Sequence, residues 1–173
     1  MGVRINELTP LPLPIIMNHR WKPNVTVAAV IERDGRFLLV EEETADGLRF
    51  NQPAGHLEAN ESLLCAVARE TMEETAHPFV PEYLVGVYQW PRPQGDVAYL
   101  RFAFGGWAGE GDPARALDEG IVRAVWMTLE ELRATHARHR SPLVLQCVED
   151  WLSGRRYGLE LLRHYDCGDR NPS

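Results

Sequence analysis

The chain has 173 residues, 45% of them apolar and 25% charged, which fits one globular domain with a sizeable core. Its net charge of −7 argues against unspecific binding to nucleic acid or to an anionic membrane surface. A phosphorylated substrate is not excluded, because a bound divalent cation reverses the local field.

Three cysteines, Cys65, Cys147 and Cys167, show no metal-site spacing and read as free thiols of a reducing compartment. No apolar run approaches the roughly 18 residues of a membrane span. The N-terminus lacks the basic start and cleavage site of a signal peptide, so a cytoplasmic protein is expected.

In chain order, "LTPLPLP" (Leu8–Pro14) is too proline-rich for a helix or a central strand, and residues 1–20 read as an N-terminal extension. "VTVAAVIE" (Val25–Glu32) is β-branched and apolar, as a buried strand requires. Asp34-Gly35 predicts a hairpin turn into a second strand, "FLLVEEE". After a turn at Ala45–Gly47, "LRFNQPAGHLE" reads as extended with a break at Pro53. Glu61–Thr75 has helical periodicity. "YLVGVYQW", "YLRFAFGGW" and "GIVRAVWM" are further strands. Thr128 and Glu131 form a capping-box pattern; Ser141, Pro142 and Gly154 mark the N-cap, first position and stop of a last helix. The order strands, helix, strands, helices predicts an α+β fold around a mixed sheet, with no second domain.

The helix from Glu61 carries an unusual acid cluster. At 100° per residue, counted from Glu61, the arc from roughly 200° to 20° holds Leu63, Leu64, Val67, Ala68, Thr71 and Met72, the expected core face. Glu70 falls near 180°, Glu74 near 220° at the edge of that stripe, and Glu73 near 120°. Like charges one turn apart repel, and apolar neighbours raise the cost of ionising them. Mg²⁺ removes both penalties, since it takes hard oxygen ligands from one or two carboxylates, water and phosphate. A glutamate-rich helix face is more often only a solvated surface, so the acids alone do not decide.

The spacing does. Gly55, five residues, Glu61, seven residues, Arg69-Glu70, Thr71-Met72, Glu73-Glu74: this pattern resembles the Nudix box, the signature of hydrolases that cleave diphosphates linked to another moiety. Two positions depart from it. Ala76 stands where a helix-ending glycine is usual, at a cost of about 1 kcal/mol if the left-handed conformation is kept. Thr71 replaces an aliphatic residue. From about Trp21 to about Leu162, "KPNVTVAAVIERDGRFLLVEEE", "NQPAGHLEANESL", "LRFAF", "RSPLV" and "SGRRYGLELL" resemble the bacterial Nudix phosphatases of the NudJ type.

The resemblance implies an α/β/α sandwich around a mixed sheet, with the Nudix domain at 21–165 and a C-terminal tail at 166–173. It implies a Mg²⁺-dependent phosphatase, with Mn²⁺ as a substitute, acting on nucleoside tri- and diphosphates and on thiamine-pathway pyrimidine diphosphates. Glu70, Glu73 and Glu74 match the metal ligands and the acidic catalytic set, and Arg69, paired with Glu61, matches the arginine that orients them. Gly55 lets the backbone approach the metal, with its own carbonyl or that of His56 as a ligand; the His56 ring reads as structural. Glu119, just before a strand, matches an assisting base or ligand, or is an exposed loop acid. Arg92, Arg101, Arg155 and Arg156 are candidates for phosphate contacts or plain surface cations. Trp90 stacks on a pyrimidine or simply packs. The opposing reading, a non-catalytic sensor of a phosphorylated metabolite, usually lacks the Arg-Glu and Glu-Glu positions that this chain keeps. The oligomeric state is not readable.

Overall fold

The strands carry apolar side chains on both faces, which requires helices on both sides. In the computed structural model, which describes residues 21–91 and 97–165, that is the arrangement found. The arm 1–20, Arg92 and the tail with Cys167 lie outside the described residues.

β1 (Asn24–Val30) is followed by the hairpin of β2 (Glu32–Arg33) and β3 (Arg36–Thr44). Its turn is the expected one: Asp34 and Gly35 both have positive φ, 50° and 76°, the geometry that matches strand twist. β4 (Gly47–Asn51) returns along β3 with Thr44 opposite Gly47, and Pro53 separates it from β5 (Ala54–His56). α1 spans Leu63–Thr75. β6 (Phe79–Pro91) and β7 (Ala98–Ala108) form a long antiparallel pair. β6 begins four residues before the expected Tyr83; Pro81 is tolerated because β6 is an edge strand and shifts register between Pro81 and Tyr83. β8 (Ile121–Thr128) leads into α2 (Leu129–Ala134), which keeps the expected capping box of Thr128 and Glu131.

α3 (Leu143–Leu152) starts one residue later than expected. Pro142 occupies the cap position, and the Ser141 hydroxyl is buried without a hydrogen-bond partner rather than capping the helix. Gly154 follows the helix at φ 83°, where the stop was expected.

The strands form two sheets. One runs β5-β1-β7-β6 and is mixed, with β1 and β7 parallel; in the other β3 pairs antiparallel with β2, β4 and β8. Alternation along the strands builds two cores. Val27, Ala29, Leu38 and Phe104 pack toward α1 with Ala66 and Val67. Val30, Phe37, Leu39 and Ala103 pack toward α2 and α3 with Leu132, Val144 and Val148. Each fully buried Val or Leu contributes about 1.5–3 kcal/mol. Among the described residues no helix is long and apolar enough to cross a membrane.

Candidate active site

α1 and β5 meet at the open end of these sheets. The Ser62 hydroxyl starts the helix by accepting the Cys65 N–H at 3.1 Å, so Glu61 stands just before it, free to turn back. Ala76 ends it in the left-handed conformation, φ 60° and ψ 13°, which the box position implies. Thr71 is fully buried, and its hydroxyl donates to the Val67 carbonyl at 2.7 Å, so its polarity is satisfied within the helix.

The buried face differs from the expected one. It runs through Ala66, Val67, Glu70, Thr71 and Thr75, while Leu63, Leu64, Ala68 and Met72 are only half-buried. The buried arc is shifted so that it takes in Glu70, expected just outside it, while Glu74 stays half-buried. The small residues of β5 permit this. A side chain on Gly55 would overlap the Glu70 carboxyl, and the Ala54 N–H donates to Glu74 Oε2 at 2.8 Å.

Arg69 gathers the neighbouring acids. Its Nε and Nη2 hold Glu61 bidentately at 2.8 and 2.9 Å, and its Nη1 donates to Glu70 at 2.8 Å and to Glu73 at 3.0 Å. Nη2 also donates to the His56 carbonyl at 3.1 Å. These bonds hold Glu61 below the usual carboxylate range and push Arg69 further up. Glu70 and Glu74 behave in the opposite way. Burial raises both, Glu74 to about 8, against the Arg69 and Ala54 hydrogen bonds that would lower them; the carboxylate of Asp118 adds to both shifts.

A cavity of about 410 Å³ opens here, lined by Gly55, Glu70, Glu74, Trp90 and Arg101 from the expected set, and also by Thr26, Glu42, Arg49, Tyr99, Asp118, Arg140 and Ser141. Trp90 stacks on Tyr99 at 5.8 Å between centroids. Glu73 does not line the cavity; it stays with Arg69, as does Glu61. Glu119 is exposed and outside the lining, whereas its neighbour Asp118 lines it and donates its N–H to the Glu73 carbonyl at 3.0 Å. Two adjacent acids thus precede the strand, and Gly120 follows them at φ 86°. Arg155 lies away from the cavity, ion-paired with Asp150 at 3.4 Å. Arg156 stacks on Tyr83 and Trp151. The His56 ring lines the cavity and is exposed, 6.4 Å from the Tyr99 ring.

Among the described residues no three acidic, histidine or cysteine side chains converge into a closed metal cage. Glu70 and Glu74 form an open pair instead. That donor set suits Mg²⁺, which commonly uses one or two carboxylates and completes its shell with water and phosphate.

A family model described as the NUDIX domain matches residues 21–147. The chain belongs to the Nudix hydrolase family. It is accordingly a hydrolase, of a family whose phosphatases act on small phosphorylated substrates. It is similar to Phosphatase NudJ of Escherichia coli (strain K12) and of Shigella boydii serotype 4 (strain Sb227), each 40% identical over 147 residues, 84% of this chain and 94% of the relative. Among solved structures, a NUDIX hydrolase from Nitrosomonas europaea is 53% identical with a TM-score of 0.82, over 84% of this chain and 99% of that one. A MutT NUDIX hydrolase from Burkholderia pseudomallei shares the fold at 23% identity and a TM-score of 0.64, over 75% of this chain and 98% of that one.

Proposed function

We propose that this protein is a Mg²⁺-dependent phosphatase that cleaves diphosphate bonds in nucleoside tri- and diphosphates and in thiamine-pathway pyrimidine diphosphates. The observation that carries the reading is the pair Glu70 and Glu74, one turn apart on α1 and both lining a cavity large enough for a nucleotide-sized ligand. Neighbouring carboxylates whose pKa values burial raises, even with Arg69 on Glu70, favour a divalent ion. The likeness to Phosphatase NudJ supports the substrate class.

Glu70 and Glu74, with the Gly55 carbonyl, would hold the ion; Mn²⁺, which accepts the same oxygen donors, would substitute for Mg²⁺. Once bound, Mg²⁺ neutralises phosphate oxygens and lowers the pKa of a water. Arg69 and Glu61 position Glu70. Glu73 serves as a further ligand only if it leaves Arg69, 3.0 Å away, and we therefore assign it first to positioning. Asp118 takes the assisting role expected of Glu119, because it is the acid of that turn that faces the cavity. It and Glu74 are the candidates for accepting the proton of the attacking water. Positioning and charge neutralisation supply most of the rate.

The net charge of −7 supports a small phosphorylated substrate over nucleic acid or membrane. The free thiols of Cys65 and Cys147 support a cytoplasmic setting. We take 21–165 as the hydrolase domain, flanked by an extension and a tail. The test is phosphate and pyrophosphate release from a panel of nucleotides and thiamine diphosphates, with Mg²⁺ and with EDTA. Release that requires Mg²⁺ is expected. Equal release in EDTA, or none from any substrate, overturns the reading.

A further inference from the structure

A helix leaves its last carbonyls without partners inside the helix. At the end of α1 those of Glu73, Thr75 and Ala76 are taken up from outside. The loop between β7 and β8, residues 109–120, supplies two donors. The Asp118 N–H donates to the Glu73 carbonyl at 3.0 Å and the Asp112 N–H to the Ala76 carbonyl at 3.1 Å. The Thr75 carbonyl is met by the His77 ring, whose Nδ1 lies 2.7 Å away. A carbonyl only accepts, so Nδ1 carries the proton. The His77 backbone N–H also donates to the Thr75 hydroxyl at 3.2 Å.

The His77 ring is held on other sides too. It meets the Trp126 ring of β8 edge to face, with centroids 5.8 Å apart. The loop passes directly against it: a Cβ on Gly111 would come within 2.6 Å of His77 Cε1. Gly111 does not have positive φ, so the glycine answers this contact and not a backbone requirement. The ends of the loop are fastened to the sheets. Arg33 Nη2 donates to the Ala108 and Gly109 carbonyls at 2.9 and 3.1 Å, and its guanidinium lies 5.0 Å over Trp126. At the far end the Gly120 carbonyl accepts the Glu43 N–H at 2.8 Å. Between these anchors the loop rests on the end of α1 and on His77.

Asp118 is the acid that this loop brings to the cavity. Its place relative to Glu70 and Glu74 is therefore set where the loop meets the helix end. Misplacing a reacting group by about 1 Å costs on the order of a hundredfold in rate. We propose that His77 is a positioning residue: held by Thr75 and Trp126, its ring fixes the loop through Gly111 and so sets Asp118 against the pair Glu70 and Glu74. This rests on the assisting role given above to Asp118 in phosphate release.

The experiment is a double-mutant cycle on Mg²⁺-dependent turnover of the best substrate in the nucleotide panel. Wild type, His77→Ala, Asp118→Asn and the double variant are compared. His77→Ala should lower kcat at least about tenfold with KM within about twofold, yet cost less than about twofold once residue 118 is Asn. Gly111→Ala presses on the same contact from the loop side and should reproduce both results. It carries the test where His77→Ala does not melt cooperatively. Equal losses in the two backgrounds would make His77 a structural residue and overturn the assignment. So would wild-type kcat in His77→Ala or in Asp118→Asn, or loss of the cooperative melt in both His77→Ala and Gly111→Ala. If the wild type releases phosphate from no substrate, the hydrolase reading fails and this one falls with it; release with an additive cycle overturns the role of His77 alone.

Discussion

The Glu70 carboxyl occupies the space that a side chain on Gly55 would need. Strand β5 can approach α1 this closely only because residue 55 has no Cβ. Gly55→Ala should push Glu70 aside and lower Mg²⁺-dependent turnover at least about tenfold, with the cooperative melt preserved. Wild-type turnover in this variant would mean that Glu70 does its work elsewhere.

Glu74→Gln keeps the shape of the side chain, and its amide oxygen can still accept the Ala54 N–H. It removes one ligand charge. Activity at saturating Mg²⁺ should fall at least about a hundredfold while the fold persists. Near-normal turnover would remove Glu74 from the metal site.

Glu74 also makes a pH prediction for the metal-free protein. Burial raises its pKa from 4.5 to about 8, so the folded state binds a proton that the unfolded state has lost. Stability contributed by the protonated form is complete below about 4.5 and is lost as pH rises toward about 8. In EDTA, the Tm of Glu74→Gln relative to wild type should therefore climb across that interval. Parallel Tm curves would show that Glu74 ionises normally in the folded protein.

At Ala76 two effects oppose. Glycine would relieve a left-handed alanine, worth about 1 kcal/mol. Ala76 as a whole, however, is only 4% exposed, and losing a buried methyl costs about 0.8 kcal/mol. Ala76→Gly should thus move Tm by no more than about 2 °C. A rise of several degrees would show that the buried methyl contributes nothing.

Trp90 lines the cavity and stacks on Tyr99. If Trp90 also stacks on the substrate ring, Trp90→Ala should weaken binding by roughly 1–3 kcal/mol. The loss should appear in KM rather than kcat, with Mg²⁺ dependence unchanged. A drop in kcat at constant KM, or an unfolded variant, would make Trp90 part of the core.

The acid platform was readable because its residues are local. Arg69, Glu70, Glu73 and Glu74 share one helix, and spacing along a helix fixes geometry. The shift of its buried arc was not readable, since it depends on Ala54 and Gly55 of β5 letting Glu70 sink. Hairpin turns announced themselves at Asp34-Gly35, and the capping box at Thr128 and Glu131. The rest of the cavity escaped for the same reason in reverse. Asp118, Arg140 and Tyr99 reach it through strand register and loop path, as where the Arg140 N–H donates to the Phe50 carbonyl at 2.8 Å. Arg155 and Glu119 have suitable chemistry but do not line the cavity.

The parallel pairing of β1 with β7 sets the order in which the molecule can become active. Glu70, Glu74 and Gly55 belong to the first half of the chain, where β5 pairs with β1 and α1 packs on β1 and β5. Trp90, Tyr99 and Arg101 arrive only when β7 closes against β1, across everything from β2 to β6. Closing so long a loop is entropically costly, and such non-local pairings slow folding. On this topology a nascent or refolding chain is expected to gain its acidic helix before the opposite wall. Recovery of helical signal should run ahead of recovery of ligand binding, and the lag is the time needed to register Thr26 against Arg101.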